Sequence, residues 1–269
     1  MGAGGRWVAR EREGVILWQV DRWAARGIVH GVTARLGGVS EPPYDSLNLG
    51  LHVGDDPACV IENRRRLCRA LAVPPTALVA GAQVHGAEVA VITAADMGRG
   101  ALAAADAVPG VDALVTRDPG PVLFGLFADC VPVLIVDPLT PAVALIHAGW
   151  RGTAHEIVAR AIRTMTDEFG TRAEACEAAI GPCIGPCCYE VGEDVASRFS
   201  GWLKPALAER GGRLYLDLRA ANRSLLQAAG LPADNIWLAE LCTRCHMDMF
   251  FSHRGGAGRT GRMAAVIGL

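Results

Sequence analysis

The sequence predicts an α+β domain with a central sheet, or stacked sheets, flanked by helices. Short apolar runs at residues 123–128, 133–136 and 143–146, bounded by Asp, Pro or Gly, have the length and flanks of buried strands. Capped segments with apolar residues at helical spacing stand before and after them. The two kinds of segment mix without the strict alternation of a parallel βαβ array. At 269 residues the chain can bury a large core without disulfide staples.

In chain order, residues 1–14 read as a polar N-terminal tail, carrying Arg6, Arg10, Glu11, Arg12 and Glu13, and 15–269 as a single catalytic domain. The tail lacks the apolar core of a signal peptide. Residues 15–20 and 28–33 read as strands, followed by a Gly-rich turn at Arg35, Leu36, Gly37 and Gly38. A loop through Pro42, Pro43, Asn48 and Gly50 comes next. Asp56 as N-cap and Pro57 at the first position then open a helix, with Val60, Ile61, Leu67, Cys68 and Leu71 on one face. After the central strands, Thr153 and Glu156 have capping-box spacing ahead of a face made by Ile157, Val158, Ala161, Ile162 and Met165. A strand near 178–180, a Pro/Gly/Cys loop and a helix after Val191 follow. Asp217 caps another helix, with Leu218, Ala221, Leu225 and Leu226 inward and Gly230 just beyond its end. A strand over 263–267 closes the chain.

Composition removes several function classes. A net charge of −2 and a pI near 6.4 give no field to attract nucleic acid or anionic lipid, so neither partner is expected. The most apolar stretch, 122–146, is interrupted by Asp129, Pro132, Asp137, Pro138 and Pro141, which a membrane helix does not tolerate. The expected location is cytoplasmic, where the nine cysteines stay reduced and clustered ones become metal or catalytic candidates.

Three such residues stand where strands end: His85, Cys130 and His147. Two imidazoles and a thiolate suit Zn²⁺ and leave a fourth position open. Asp129 or a nearby carbonyl could orient a ligand histidine. Spacing alone leaves these three as either zinc ligands or buried structural residues. Cys242 and Cys245 have C-x-x-C spacing, with Cys183, Cys187 and Cys188 upstream. That allows a structural zinc or a redox pair, but no second C-x-x-C exists, and buried reduced thiols are the expectation. Gly256, Gly258 and Gly261 fit G-x-G-x-x-G but precede a strand instead of opening a helix, so the dinucleotide reading fails. His155-Glu156 lacks the second histidine of a zincin. Arg35 and Arg151, set in Gly-rich turns, suit phosphate recognition by a planar fork, Arg35 foremost; Arg64, Arg254 and Arg262 are weaker candidates. His30, His52 and His246 read as hydrogen-bonded structural residues, and His253 as the histidine nearest a pocket.

An ordered set of motifs covers nearly the whole chain after residue 30. It includes Thr33-Ala34-Arg35-Leu36-Gly37-Gly38, Gln83-Val84-His85-Gly86, Asp112-Ala113-Leu114-Val115-Thr116, Ala128-Asp129-Cys130, His147-Ala148-Gly149-Trp150-Arg151-Gly152 and Phe250-Phe251-Ser252-His253-Arg254. On these residues the chain resembles the YfiH/YlmD family, long labelled polyphenol oxidase or laccase-domain proteins and now read as multifunctional purine nucleoside phosphorylases. The resemblance implies an α/β/β/α sandwich similar to a cysteine-hydrolase-like fold, with catalytic zinc on His85, Cys130 and His147. It implies phosphorolysis of adenosine, inosine and S-methyl-5′-thioadenosine, and deamination of adenosine. Nucleoside and phosphate are then the partners, with Arg35, Arg151, His253 and Arg254 as substrate contacts and a monomer or homodimer as the assembly. In the family the first cysteine of Cys242-Thr243-Arg244-Cys245 recurs without its partner. The family usually has a second arginine after Arg254; here Gly255 stands in its place. The competing activities are a copper-dependent polyphenol oxidase and a Cys–His hydrolase editing peptidoglycan precursors, with Cys130 as nucleophile. A non-catalytic metal-binding partner of a cell-wall complex is the remaining reading. Multicopper sites need many histidines, commonly in His-x-His pairs, and none of the seven here forms one; the trio alone could still take Cu²⁺.

Overall fold

In the computed structural model, which describes residues 5–269, the polar opening of the chain is a strand from Trp7 onward, β1 (Trp7–Arg12). It pairs antiparallel with β2 (Val15–Val20), and the tail expected over 1–14 is corrected accordingly. The charges that masked it belong to a sheet edge, where an outward-facing strand carries Arg and Glu readily. Residues 1–4 of that expected tail lie outside the described residues.

The short helix α1 (Asp21–Ala25) leads to β3 (Val29–Thr33). The helix α2 (Pro57–Leu71) starts as its sequence dictates: Asp56 accepts the Ala58 N–H and Pro57 occupies the first turn. Short strands β4 (Leu78–Ala80), β5 (Val89–Val91) and β6 (Ala113–Thr116) precede the long central ones. These are β7 (Val122–Phe127), β8 (Val131–Asp137) and β9 (Ala142–Ala148). Helices α3 (Trp150–Ala154) and α4 (Ile157–Phe169) then meet at a break. The capping box expected of Thr153 and Glu156 does not form; Glu156 is itself left-handed, with φ 57°, and bonds no helix N–H through its side chain. After β10 (Glu177–Ile180) come β11 (Glu190–Val191), α5 (Glu193–Ala196), β12 (Leu207–Arg210) and β13 (Arg213–Leu216). The chain finishes with α6 (Leu218–Ala228), capped by Asp217, then β14 (Ile236–Leu238) and β15 (Met263–Gly268).

Among the described residues the strands form two six-stranded sheets, ordered β1-β2-β3-β15-β7-β4 and β14-β10-β8-β9-β6-β5, and a small sheet β11-β13-β12. Side-chain alternation sorts the core. Leu123, Phe127, Ala265 and Ile267 of the first sheet share one buried cluster with Leu134, Val136, Val143 and Leu145 of the second. The opposite phase of the second sheet, including Val133, Ile135, Ala144 and Ile146, packs on Ile157, Ala161 and Met165 of α4 and Leu225 of α6. The opposite phase of the first sheet, including Phe124 and Val266, packs on Leu67 and Leu71 of α2. Both faces of β8 and β9 are buried, which is why their sequences are nearly unbroken apolar runs. Truncating one such side chain to alanine costs about 2–5 kcal/mol. Among the described residues, no helix is long and apolar enough to cross a membrane.

Candidate metal centre

His147 is on β9, in phase with Val143 and Leu145, so its ring points to the inter-sheet side of its strand. There it meets Phe127, at the end of β7, with ring centroids 5.3 Å apart. Cys130 lies one residue ahead of β8, and the antiparallel register sets Val131 opposite Ala148 and Pro132 opposite His147. The thiol is thereby delivered beside the histidine. His85 arrives from the loop between β4 and β5, its ring 4.9 Å from that of His147 at a steep angle. The ligand atoms of His85, Cys130 and His147 all lie within 4.8 Å of one another. The three residues picked from strand ends do converge.

What holds them is Asp112, just before β6. One carboxylate oxygen stands 2.8 Å from His147 Nδ1, and the same carboxylate accepts the main-chain N–H groups of Val84, His85 and Gly86 at 2.7–3.1 Å. Those three consecutive donors wrap an anion as a backbone nest does. The nest sustains the left-handed backbone of His85, φ 59°, which a non-glycine residue adopts only when its surroundings demand it. With Nδ1 of His147 bonded to Asp112, Nε2 is the nitrogen free for a ligand. Asp129, expected as the orienting carboxylate, does something else: it accepts from Thr243 Oγ1 at 2.6 Å and from the Arg254 N–H at 2.7 Å.

The electrostatics follow the geometry. Burial works to raise the Cys130 thiol, but the charge of His147 and hydrogen bonds from both histidines outweigh it and bring the pKa down to about 6. Burial works against protonated His147, yet Cys130 and Asp112 raise it to about 9. Asp112 stays below the ordinary carboxylate range because its bond to His147 and the N–H nest overcome its burial. A thiolate facing an imidazolium provides two ligands once a metal ion displaces the proton; it is also the pair a cysteine hydrolase would use. Glycines leave the necessary room. A Cβ on Gly149 would lie 3.1 Å from Cys130 Sγ and 3.3 Å from His85 Cδ2, and one on Gly152 would meet the Gly86 carbonyl at 2.8 Å.

The four expected substrate contacts sit differently. Each nitrogen of the Arg35 guanidinium is already engaged: Nε with the Asp45 carbonyl, one amino group with the Met247 carbonyl, the other with the Asp45 carboxylate at 3.0 Å. The group also lies over the Phe251 ring. In place of an open fork, Arg35 ties two loops together. Arg151 is exposed and stacks on Trp150. Arg254 is exposed, lies over Tyr189 and donates to the Glu190 carbonyl. His253 is exposed beside it. Tyr189 was not singled out in the sequence. Burial raises its hydroxyl to about 12, and the charges of Cys130, Arg254, Asp129 and Arg151 all act on it, so it shares their neighbourhood. Arg64 is buried against the Leu49, Gly100 and Ala101 carbonyls, a scaffold role. Arg262, half-buried, donates to the carbonyls of Thr260 and Gly261.

Residues 29–269 match the family described as multi-copper polyphenol oxidoreductase laccase. The chain is 45% identical over 247 residues to the purine nucleoside phosphorylase YlmD of Geobacillus stearothermophilus, covering 90% of each protein. It is 42% identical over 243 residues to a purine nucleoside phosphorylase of Deinococcus radiodurans, covering 90% of this chain and 89% of that one. Among solved structures, YlmD from Geobacillus stearothermophilus superposes with a TM-score of 0.92 at 42% identity, over 98% of both chains. A Bacillus licheniformis protein titled hypothetical protein YfiH superposes with a TM-score of 0.92 at 36% identity, over 97% of this chain and 98% of that one.

Proposed function

Because the chain belongs to the YfiH/YlmD family, we propose that it is a metal-dependent purine nucleoside phosphorylase, with zinc held by His85, Cys130 and His147. The observation that carries this reading is the convergence of two imidazoles and a thiolate on one point, with Asp112 bonded to the far nitrogen of His147. A carboxylate behind a ligand histidine fixes its tautomer and raises its basicity, as metal centres require. The donor set fits zinc.

Held by His85, Cys130 and His147, the ion would supply a Lewis acid. Asp112 keeps the Nδ1 hydrogen of His147 and turns Nε2 toward the ligand point. Cys130, with its lowered pKa, offers a thiolate near neutral pH. Arg151 and Arg254 are the cations we assign to phosphate, with His253 next to Arg254 in the chain; Tyr189 seats the Arg254 guanidinium on its ring. Phosphate attacks C1′ of the nucleoside and the purine base leaves, so the arginines offset the charge of the attacking anion. Adenosine, inosine and S-methyl-5′-thioadenosine are the substrates we assign, giving free base and ribose or methylthioribose 1-phosphate. Deamination of adenosine is assigned to the same centre.

We read the two sheets and their helical layers as an α/β/β/α sandwich of the cysteine-hydrolase-like kind, and extend the catalytic domain from 15–269 to take in β1. The polyphenol-oxidase chemistry named in the family's description is less favoured. Among the described residues the metal-capable groups are one His/Cys/His trio and one all-cysteine cluster, and neither offers the imidazole-rich set that several coppers need. The test is a nucleoside panel, assayed with and without phosphate, on protein of known metal content. Phosphate-dependent release of base, lost in Cys130→Ala, supports the proposal. Base release that ignores phosphate, or oxidation of phenols with stoichiometric copper, overturns it.

A further inference from the structure

The cysteines expected as buried, reduced thiols are not all buried. Cys183 and Cys242 are buried, but Cys187 and Cys245 are exposed and Cys188 is half-buried. Strands β10 and β14 are parallel neighbours, with Ile180 opposite Leu238. Past the sheet the two segments meet again, one residue out of the strand register, in a parallel bridge between Cys183 and Cys242, where the Thr243 N–H donates to the Cys183 carbonyl at 3.0 Å. Two chain segments thus leave one sheet edge side by side. One turns at Gly185 and presents Cys187 and Cys188; the other presents Cys242 and Cys245.

The sulfurs of Cys187 and Cys188 each stand 3.5 Å from that of Cys245, and all four lie within 4.8 Å of one another. A disulfide needs about 2.05 Å. Four thiolates around one zinc, at about 2.3 Å each, are separated by about 3.8 Å along each edge of the tetrahedron. The observed spacing is that of a coordination shell. The Gly185 N–H donates to Cys242 Sγ at 3.2 Å, a bond that favours a thiolate. Cations stand close by: Arg244 reaches the Cys188 carbonyl, Arg210 the Pro186 carbonyl, and an Arg219 nitrogen lies 3.2 Å from where a Gly185 Cβ would be. Zinc with four thiolates carries two negative charges, and these guanidiniums offset them.

We propose that Cys187, Cys188, Cys242 and Cys245 form a second, structural metal site that takes one thiophilic dication, zinc, with all four positions filled by protein. Binding releases the thiol protons to solvent and leaves no place for substrate. Its work is mechanical. Thr243, next to Cys242, holds Asp129, and Asp129 adjoins Cys130 and holds the Arg254 N–H. Tyr189, next to Cys188, lies under the Arg254 guanidinium. Clamping the two turns therefore fixes the wall of the first centre from behind.

The experiment counts metal in protein expressed with added zinc and purified under reductant, in wild type, Cys130→Ala and the double variant Cys187→Ser/Cys245→Ser. The wild type should hold two zinc ions per chain, each variant one, and the combined variant none. Cobalt substituted into Cys130→Ala should show the intense thiolate-to-metal absorption of a four-sulfur site. If the double variant fails to fold, titrating Cys130→Ala with an organomercurial reads the same site, which should release one zinc. The Cys130 arm reports on the first centre alone, so the two readings fail separately. The proposal is overturned by a wild type with one zinc that the double variant retains, by Cys130→Ala with none to release, or by a Cys187–Cys245 disulfide without a second metal.

Discussion

Asp112 and His147 stand 2.8 Å apart, carboxylate to Nδ1, and neither is accessible enough for water to compete for that bond. The same aspartate holds the loop that carries His85, so one buried anion sets two of the three ligands.

Asp112→Asn keeps the size and removes the charge, and its NH₂ group faces donors where an acceptor is needed. Metal affinity should fall about 10- to 100-fold, the cost of losing such a partner to a ligand histidine. Competition with a chromophoric chelator measures it. Unchanged affinity would remove Asp112 from the centre.

Gly149→Ala tests the space between Cys130 and His85. The backbone there, at φ −74° and ψ 175°, accepts any residue, so the added methyl acts only by pressing on the sulfur and the imidazole. Metal retention and activity should drop while thermal unfolding moves little. A large loss of stability with metal retained would count against this placement.

Arg35→Lys and Arg254→Gln should separate scaffold from substrate contact. Lysine cannot reproduce the three-way bonding of Arg35, so stability should fall by about 1–3 kcal/mol and phosphorolysis and deamination should decline together. Arg254→Gln should raise the KM for phosphate and spare deamination. Parallel assays of inosine to hypoxanthine and adenosine to inosine, across phosphate concentrations, decide. A phosphate-specific defect in Arg35→Lys would restore that residue to the site.

Acid should weaken the fold through His30, which accepts the Val20 N–H and bonds the Ile28 carbonyl, and is therefore neutral. Burial lowers its pKa from 6.5 to about 4. Above pH 6.5 neither state takes the proton; as pH falls from there toward 4 only the unfolded chain does, and roughly 3 kcal/mol of stability is lost. Urea unfolding of wild type and His30→Gln at pH 7.5 and 4.5 isolates the difference. Equal acid losses in the two would refute it.

Elements with a local signature were legible in the sequence. The Asp56-Pro57 start, the Asp217 cap and the short apolar runs of β2 and β15 each need only neighbouring residues. The three-residue strands β4, β5 and β14 are too short to show a period. The charges of β1 read as a tail because its pairing is visible only in three dimensions. In the site, spacing offered His85, Cys130 and His147, and family resemblance chose the metal reading for them. Asp112 escaped because its partner is 35 residues away, and the cysteines, offered as a structural zinc, were set aside as buried thiols because the halves of the cluster lie 57–58 residues apart.

Strand β15 lies between β3 and β7, in the middle of the first sheet. During synthesis, both neighbours leave the ribosome more than a hundred residues before the strand that joins them. Until then the nascent chain carries two apolar edges with unpaired main-chain groups, open to each other and to other chains. A chain cut just before Met263 would hold two half-sheets with nothing between them, so the arrival of β15 is the step that commits the molecule to its fold.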